Sequence, residues 1–541
     1  MNAEIKEMIM KVWNSKKWSR SLAVVALLSL FPTANAPAQA IYARWINKSG
    51  GTVPESVLGA AEDSSTNIYV LGRFYGLTNK IGATTLTNWI AVSNVFLFQF
   101  KGNSINAPVW AKVAVTEYPI SNARIKGDFA GDIIVAGSYG GTNLGFGTSS
   151  ITNYGSQGDH SEDVFMAKFN SAGTLGWLNH IGGTAADSLG DMAIDPARTP
   201  SGFYVTGSFQ STNFFAGNTN LVRQSTSGSD CYTAKFNLSG NLLWMSQGIY
   251  ASGDCIAVDT ANNCYVSGTV LGPATFGGSS PANQTTTNYV IKYDVTGTPL
   301  WVRGDMTVGS RIGVDKAQCI YTAGTFSNVL QIGGVTLSNN SPSTIFLAKY
   351  DSNGNPLWAQ QLPGQGYDGF TGLMIDRNTN CWITGYFAST NQTEPQMNSM
   401  AVIACFDQSG NLFAMSQAGG LPASVASGVT ADTYVANICV FGSFATNLFL
   451  ANKYSLTNAG NADIFASIVG LGPKINVTAT STNVVLSWPA ITENNGFVLQ
   501  AITNFTSTNW STVGSGSAVN GQMVVTNAPS GSVHFFRLVR P

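Results

Sequence analysis

Asp351, Asn353 and Asn355 alternate in the stretch "KYDSNGNPLW" (349–358). Oxygen ligands for a hard cation take such a spacing. An EF-hand loop also needs Gly at its sixth position and a bidentate Glu at its twelfth. Counted from Asp351, those positions hold Pro356 and Leu362. Related stretches begin with Asn170, Asn237, Asp294 and Asp407. A side chain that caps a turn tolerates Asn for Asp, whereas a cation site that needs the charge tolerates it less well. The stretch therefore reads as a capped turn. A second acid series, Asp128, Asp195, Asp259, Asp315 and Asp376, closes short apolar runs. Such carboxylates could bind ions or act as paired acids. Each is followed within a few residues by another strand-like run, so turn capping is favoured again.

Histidine is limited to His160, His180 and His534, with no metal-ligand spacing between them. There is no G-x-S-x-G elbow and no H-E-x-x-H motif. A triad built from scattered residues would have to use one of the three histidines, and His180 is the one near an expected rim. Seven cysteines make an odd number without any C-x-x-C pair. Cys264, Cys319, Cys381 and Cys439 lie in apolar runs, as small buried hydrophobes do. Cys381 and Cys405 fall on strands expected side by side, which leaves one conceivable pairing. No metal site and no cofactor are expected.

The elements that carry these residues repeat. A short apolar strand ending in Asp, a turn and a "YVxGxF"-type strand recur, with the glycine at Gly72, Gly137, Gly207, Gly268, Gly324, Gly385 and Gly442. A hairpin follows each, as in "VFMAKFNSAGTLGW" (164–177) and "YTAKFNLSGNLLW" (232–244). Its apolar residues alternate as in half-buried strands, and its Asn/Asp-x-x-Gly core makes a tight turn. Each unit reads as four strands, expected near 309–315, 319–326, 344–350 and 356–361 in the fifth copy. Seven such units fit a seven-bladed β-propeller. An aromatic marks the fourth strand at Trp110, Trp177, Trp244, Trp301, Trp358 and Phe413, which is one fewer than the glycines. The strand missing from the last unit is supplied by "IYARWINKSGG" (41–51), with Trp45. The N-terminal strand is therefore expected to close the last blade. Aromatics repeating once per unit are expected to pack blade against blade. A quinone-binding propeller would share that pattern but lacks its cofactor constellation here.

"SGNLLW", "DCIAVD", "YVSG" and "DVFMAKF" resemble the bacterial β-propeller repeat family often called SBBP repeats, over about 41–470. The resemblance implies a propeller fold and an exported setting, but no single activity. After the linker 471–474, residues 475–541 show about six alternating runs, expected as a small β-sandwich. Trp488 and Phe497 make this module similar to fibronectin type III and immunoglobulin-like domains. Asn504, Asn509 and Trp510 are read as a packed loop rather than a sugar site.

Charged residues make up 10% of the 541, and there are 58 glycines. This composition suits many short strands and turns. Lys11, Lys16, Lys17 and Arg20 precede the apolar run 21–31, and small-x-small sites follow up to Ala40. Residues 1–40 read as a signal peptide, so the chain is expected to be exported: secreted, periplasmic or at the cell surface. Cleavage would remove five of 27 basic and two of 28 acidic residues, leaving 22 and 26 and a formal charge of −4. No footprint for nucleic acid remains. No membrane span is expected in the mature chain, and a monomer is expected.

Ligands are expected where the second-to-third and fourth-to-first strand links emerge, because function gathers on loops over a rigid scaffold. Links such as 210–229 and 327–343 are rich in Ser, Thr, Asn and Gly. Asp187, Asp254, Arg311, Tyr367 and Asp368 are the side chains expected near the channel mouth. Two functions remain open. One is a non-enzymatic exported scaffold binding an extracellular protein or polysaccharide. The other is a polysaccharide-acting lyase or hydrolase with its residues at the channel.

Overall fold

The computed structural model describes residues 41–541 apart from short gaps; those of five residues or more are 50–54, 88–93, 102–107, 156–160, 282–287, 389–398, 419–423, 432–437, 457–462, 490–497, 503–510 and 528–534. All regular structure among the described residues is β, and no helix is long and apolar enough to cross a membrane. Two compact units separate, with the boundary at Gly470 and Leu471.

The larger unit contains seven antiparallel four-strand arrays. Sheet 1 runs Glu55–Glu62, Ile68–Phe74, Asn94–Phe100 and Trp110–Val113. Sheet 2 runs Ser121–Gly127, Ile133–Tyr139, Asp163–Phe169 and Leu175–Gly182. Sheet 3 runs Asp187–Ile194, Phe203–Phe209, Asp230–Phe236 and Leu242–Ala251. Sheet 4 runs Cys255–Val258, Cys264–Phe276, Asn288–Tyr293 and Pro299–Arg303. Sheet 5 runs Arg311–Val314, Ile320–Phe326, Thr344–Tyr350 and Pro356–Gln361, within two residues of the expected bounds. Sheet 6 runs Gly369–Ile375, Cys381–Phe387, Met400–Phe406 and Leu412–Ala418. Sheet 7 runs Ser424–Ala431, Ile438–Phe444 and Asp463–Leu471, and its fourth member is the N-terminal strand Ile41–Ser49. The seven first strands neighbour one another in order, and that of sheet 7 returns to that of sheet 1. Phe441 and Ala466 of sheet 7 share a core with Val57, Val70 and Phe98 of sheet 1. The apolar core thus lies between successive sheets, which is why strands buried on both faces need so few charges.

Packing explains the repeated residues. The motif glycine faces an aromatic on the third strand: Gly72 pairs with Phe96, Gly137 with Phe165, Gly207 with Tyr232, Gly268 with Tyr289, Gly324 with Phe346 and Gly442 with Phe465. A Cβ on Gly137 would stand 2.8 Å from the Phe165 ring. The aromatic fills the space that the glycine leaves. In sheet 6 the partner of Gly385 is Val402, and the carbonyl of Gly369 crowds the glycine, as those of Ser188 and Ser252 also do at Gly207 and Gly268.

The fourth-strand tryptophans tie each sheet to the next. Trp177 Nε1 donates to the Leu238 carbonyl at 3.0 Å, and its ring lies over Gly240 in the turn of sheet 3. Trp110, Trp244 and Trp358 do the same to the turns at Gly173, Gly297 and Gly410. In sheet 4 another residue contributes, as Arg303 donates to the Asn353 carbonyl at 3.0 Å. The glycine at φ near +80° therefore makes the turn and also floors the neighbouring ring.

The links expected as polar loops are largely hairpins. Residues 210–229 contain Asn213–Ala216 and Thr219–Val222, and 327–343 contain Val329–Ile332 and Val335–Ser338. Each pair turns at a glycine with positive φ, Gly217 and Gly333. The hairpin in sheet 3 pairs with the fourth strand of sheet 2 through Ile181 with Ala216 and Gly182 with Phe215.

The smaller unit has two antiparallel sheets. One contains Asn476–Ala479, Val484–Pro489, Gln522–Asn527 and Ser517–Val519; the other contains Ser511–Gly514, Val498–Ile502 and Phe535–Val539. Leu486, Trp488 and Leu499 form its buried centre. Phe497, Asn504, Asn509 and Trp510 lie outside the described residues.

Candidate functional site

The five side chains expected near the channel mouth have different surroundings. Asp187 and Asp368 are buried, at 0% and 3% exposure. Asp187 Oδ1 accepts the backbone N–H of Gln210 at 3.0 Å and of Ser211 at 3.2 Å, while Oδ2 accepts the Ser211 hydroxyl at 2.7 Å. It fastens the start of the link after the second strand. Burial pushes its pKa up to about 6, against the pull of those hydrogen bonds. Asp368 accepts the Thr344 hydroxyl at 3.4 Å, and burial again pushes its pKa up to about 6. Placing these two acids at a solvated rim is therefore corrected: the links fold back over them. Asp254 is exposed and accepts the hydroxyls of Ser252 at 2.8 Å and Thr269 at 3.0 Å. Tyr367 is half-buried and bridges Ser343 through the backbone.

Arg311 belongs to a first strand rather than a link, and there it has company. Apart from Glu55, Glu62 and Asp187 at strand ends, the charged residues of the seven first strands are Arg124, Lys126, Asp191 and Arg311. Three of these occupy one register position. The residue before each motif glycine pairs with Gly59, Arg124, Asp191, Cys255, Arg311, Gly372 or Gly428, going from sheet 1 to sheet 7. Arg124 Nε meets Asp191 Oδ1 at 3.1 Å, and its Nη2 donates to the Gly190 carbonyl at 3.1 Å. Asp191 Oδ2 accepts the Ile256 N–H at 3.4 Å. Arg311 donates to the Ser310 carbonyl at 2.8 Å and lies beside the Cys255 thiol. Where the position is glycine the strands close up instead: a Cβ on Gly372 would come within 2.9 Å of Gly428 Cα.

His180 sits on the fourth strand of sheet 2. Its Nδ1 is 3.1 Å from Tyr139 Oη and 4.0 Å from Asp163 Oδ2, and its ring stacks on Tyr154 at 4.3 Å. Burial lowers its pKa, which keeps the ring neutral at pH 7. Phe215, from the hairpin of the next sheet, lies 6.0 Å from Tyr154. Burial, with Asp163 and Tyr154 nearby, pushes the Tyr139 phenol pKa well up, so its hydroxyl keeps its proton and hydrogen-bonds to the neutral ring. His180 stands on the fourth strand of sheet 2 and Tyr139 at the end of its second strand. His160 and His534 lie outside the described residues.

Both acid series cap turns. Asp351 Oδ1 accepts the N–H of Asn353 at 2.9 Å and of Asn355 at 2.8 Å, and Oδ2 accepts Asn355 Nδ2 at 2.8 Å. Asn170, Asn237, Asp294 and Asp407 accept the same two N–H groups in their turns. Asp315 caps its own turn and receives the Tyr321 hydroxyl at 3.0 Å, with Lys349 Nζ at 3.3 Å. The same role falls to Asp128, Asp195, Asp259 and Asp376. Among the described residues no group of three or more His, Cys, Asp or Glu is arranged to hold a metal. Asp351→Ala is expected to destabilise the protein by about 1 kcal/mol through the lost cap. Adding calcium or EDTA should leave the melting temperature of the unmodified chain unchanged; a calcium-dependent rise would return the stretch to the cation-binding class. Cys381 pairs with Phe406 and Cys405 with Trp382, so the two thiols point to opposite faces of the sheet. Both are free and buried.

No family model matches the chain. It is similar to the uncharacterized WD repeat-containing protein L264 of Acanthamoeba polyphaga mimivirus, with 25% identity over 420 residues, covering 63% of this chain and 30% of that protein. The match thus spans under a third of the relative's length. Among solved structures, similar chains include the Dos1 propeller (TM-score 0.36, 8% identity, 78% of this chain and 95% of that one). Another is Chaetomium thermophilum Sqt1 bound to the N-terminus of ribosomal protein L10 (0.36, 10%, 82% and 97%). A third is a PL25 ulvan lyase bound to -[GlcA(1-4)Rha3S]- (0.36, 11%, 73% and 92%). The repeated four-strand sheets and the WD-repeat relative agree on a β-propeller fold.

Proposed function

We propose that the chain is an exported, non-enzymatic binding protein built on a seven-bladed propeller closed by its N-terminal strand. It takes an extracellular protein or polysaccharide on the face of the second-to-third and fourth-to-first links. Residues 1–40 act as the signal peptide. The unit at 475–541 is a small fibronectin-like sandwich that serves attachment, and the repeats are of the SBBP type. One observation carries the binding reading. Asp187 and Asp368, two of the side chains expected near the channel mouth, are buried and hydrogen-bonded into the links. They stiffen a platform instead of presenting paired carboxylates. Rigid platforms bind with less ordering cost than mobile loops. The test is an array of glycans and bacterial surfaces probed with the mature chain, repeated with Tyr367→Ala and Asp254→Ala. Saturable binding weakened by either change supports the reading. No binding to any surface, together with turnover of a polymer, would overturn it.

The His180–Tyr139 pair, 3.1 Å apart, favours the second reading, a polysaccharide-acting lyase or hydrolase. Turnover abolished by His180→Ala would establish it; polymer left intact would remove it.

A further inference from the structure

The first strands gather positive charge that the fold does not neutralise. Arg124 and Lys126 stand two residues apart on one face of the first strand of sheet 2. Arg311 comes from sheet 5 and Asp191 from sheet 3. Lys126 feels Asp191, Arg124 and Arg311 together, so charges from three sheets surround one region of the ring. Asp191 is the one acid of the group, and both its oxygens are engaged, by Arg124 and by the Ile256 N–H. Arg311 donates to the Ser310 carbonyl, lies beside the Cys255 thiol and feels Asp191 from a distance. Lys126 has no hydrogen-bond or ion-pair partner among the described residues. Burial lowers its pKa; Asp191 opposes this, while Arg124 and Arg311 add to it. The three cations, all half-buried, outnumber Asp191 and the exposed Asp254, whose oxygens are already engaged, so positive charge is in excess there. Half-buried charges of one sign, open to solvent on one side, make a receptive place for an ion of the other.

The rest of the ring explains why the charge collects on one side. At the shared register position sheets 6, 7 and 1 carry Gly372, Gly428 and Gly59, where the chain runs too close to its surroundings for a Cβ. Sheets 2 to 5 carry side chains there, three of the four being charged.

We infer that the ring of first strands is an anion site, in which Lys126, Arg311 and Arg124 receive a carboxylate or sulfate group, with Asp191 orienting Arg124. This goes beyond the binding role of the links, because it holds whatever those links carry.

The test is calorimetric titration of the mature chain with sodium sulfate and, separately, with sodium glucuronate, at constant ionic strength. One saturable site per chain is expected, and the better of the two probes tells whether the group is a sulfate or a carboxylate. Lys126→Met and Arg311→Met should each weaken binding about tenfold, the loss expected for one charge-assisted hydrogen bond. Lys126→Arg should keep most of the affinity, and Asp191→Asn should tighten binding by removing the opposing charge. The inference falls if neither anion binds saturably to the unmodified chain, or if Lys126→Met and Arg311→Met bind as it does. Should Lys126→Met fail to fold, Arg311→Met and the unmodified chain decide the matter. Failure here leaves the array result on the links untouched.

Discussion

Gly207→Ala is expected to destabilise the propeller by about 3 kcal/mol, the upper end of overpacking costs. The added Cβ would fall 1.9 Å from the Ser188 carbonyl oxygen and 2.8 Å from Tyr232 Cε1. One obstacle is backbone and the other is a fully buried ring, so neither can swing aside. Tyr232 also donates to that carbonyl at 3.2 Å, and moving the ring would break this bond. Gly334→Ala is the control. Nothing lies within 4 Å of its added Cβ and its φ is unexceptional, so its effect should stay within about 0.5 kcal/mol. Both are read from the denaturant midpoint of the larger unit. Equal midpoints for Gly207→Ala and the unmodified chain would show that the glycine recurs for a reason other than space.

Such packing requirements are what made the fold legible in sequence. A glycine opposite an aromatic, an Asp or Asn capping a turn and a tryptophan over the next turn are each forced by close contact. They therefore return at nearly fixed spacing, and counting them located the strand at 41–49. Charges at the shared register position of the first strands are confined to a minority of the copies. Arg124, Asp191 and Arg311 occupy a position that is glycine in sheets 1, 6 and 7, and comparing copies for what they share discards them. Aligning the copies on the motif glycine and asking where they differ would have brought the three together. Lys126 would still have escaped, because its exposure depends on sheets distant in sequence. The hairpins were missed for a different reason. Ser, Thr, Asn and Gly dominate 210–229, yet "NFFAGNTNLV" alternates around a turn glycine, as "VLQIGGVTLS" does in 329–338. As polar residues beside links, Asp187 and Asp368 read as exposed; their burial follows from links that fold back, which composition does not reveal.

Those two acids give the second large effect, on pH. Their carboxyls have pKa values raised to about 6 in the folded chain, chiefly by burial. In the unfolded chain they ionise near the ordinary value of about 4. Between these values the folded state holds more protons than the unfolded one, so stability falls as pH rises. The contribution is fully present below about pH 4 and lost as pH passes about 6, and a shift of that size is worth roughly 2–3 kcal/mol for each acid. Other groups act in the opposite sense. Turn caps such as Asp351 and Asp407 have depressed pKa values, and stabilise above the ordinary range. His180, also depressed, loses its contribution as pH falls below about 6.5. The whole curve therefore mixes signs, and the informative quantity is a difference. Asp187→Asn keeps the shape and an acceptor for the Gln210 and Ser211 N–H groups while removing the ionisation. Measured by denaturant midpoint from pH 4 to pH 7, the gap between the unmodified chain and Asp187→Asn should move in favour of the variant by roughly 2–3 kcal/mol. A gap that stays constant would mean that Asp187 is charged in the folded chain throughout, and that its carboxylate is solvated rather than sealed beneath the link.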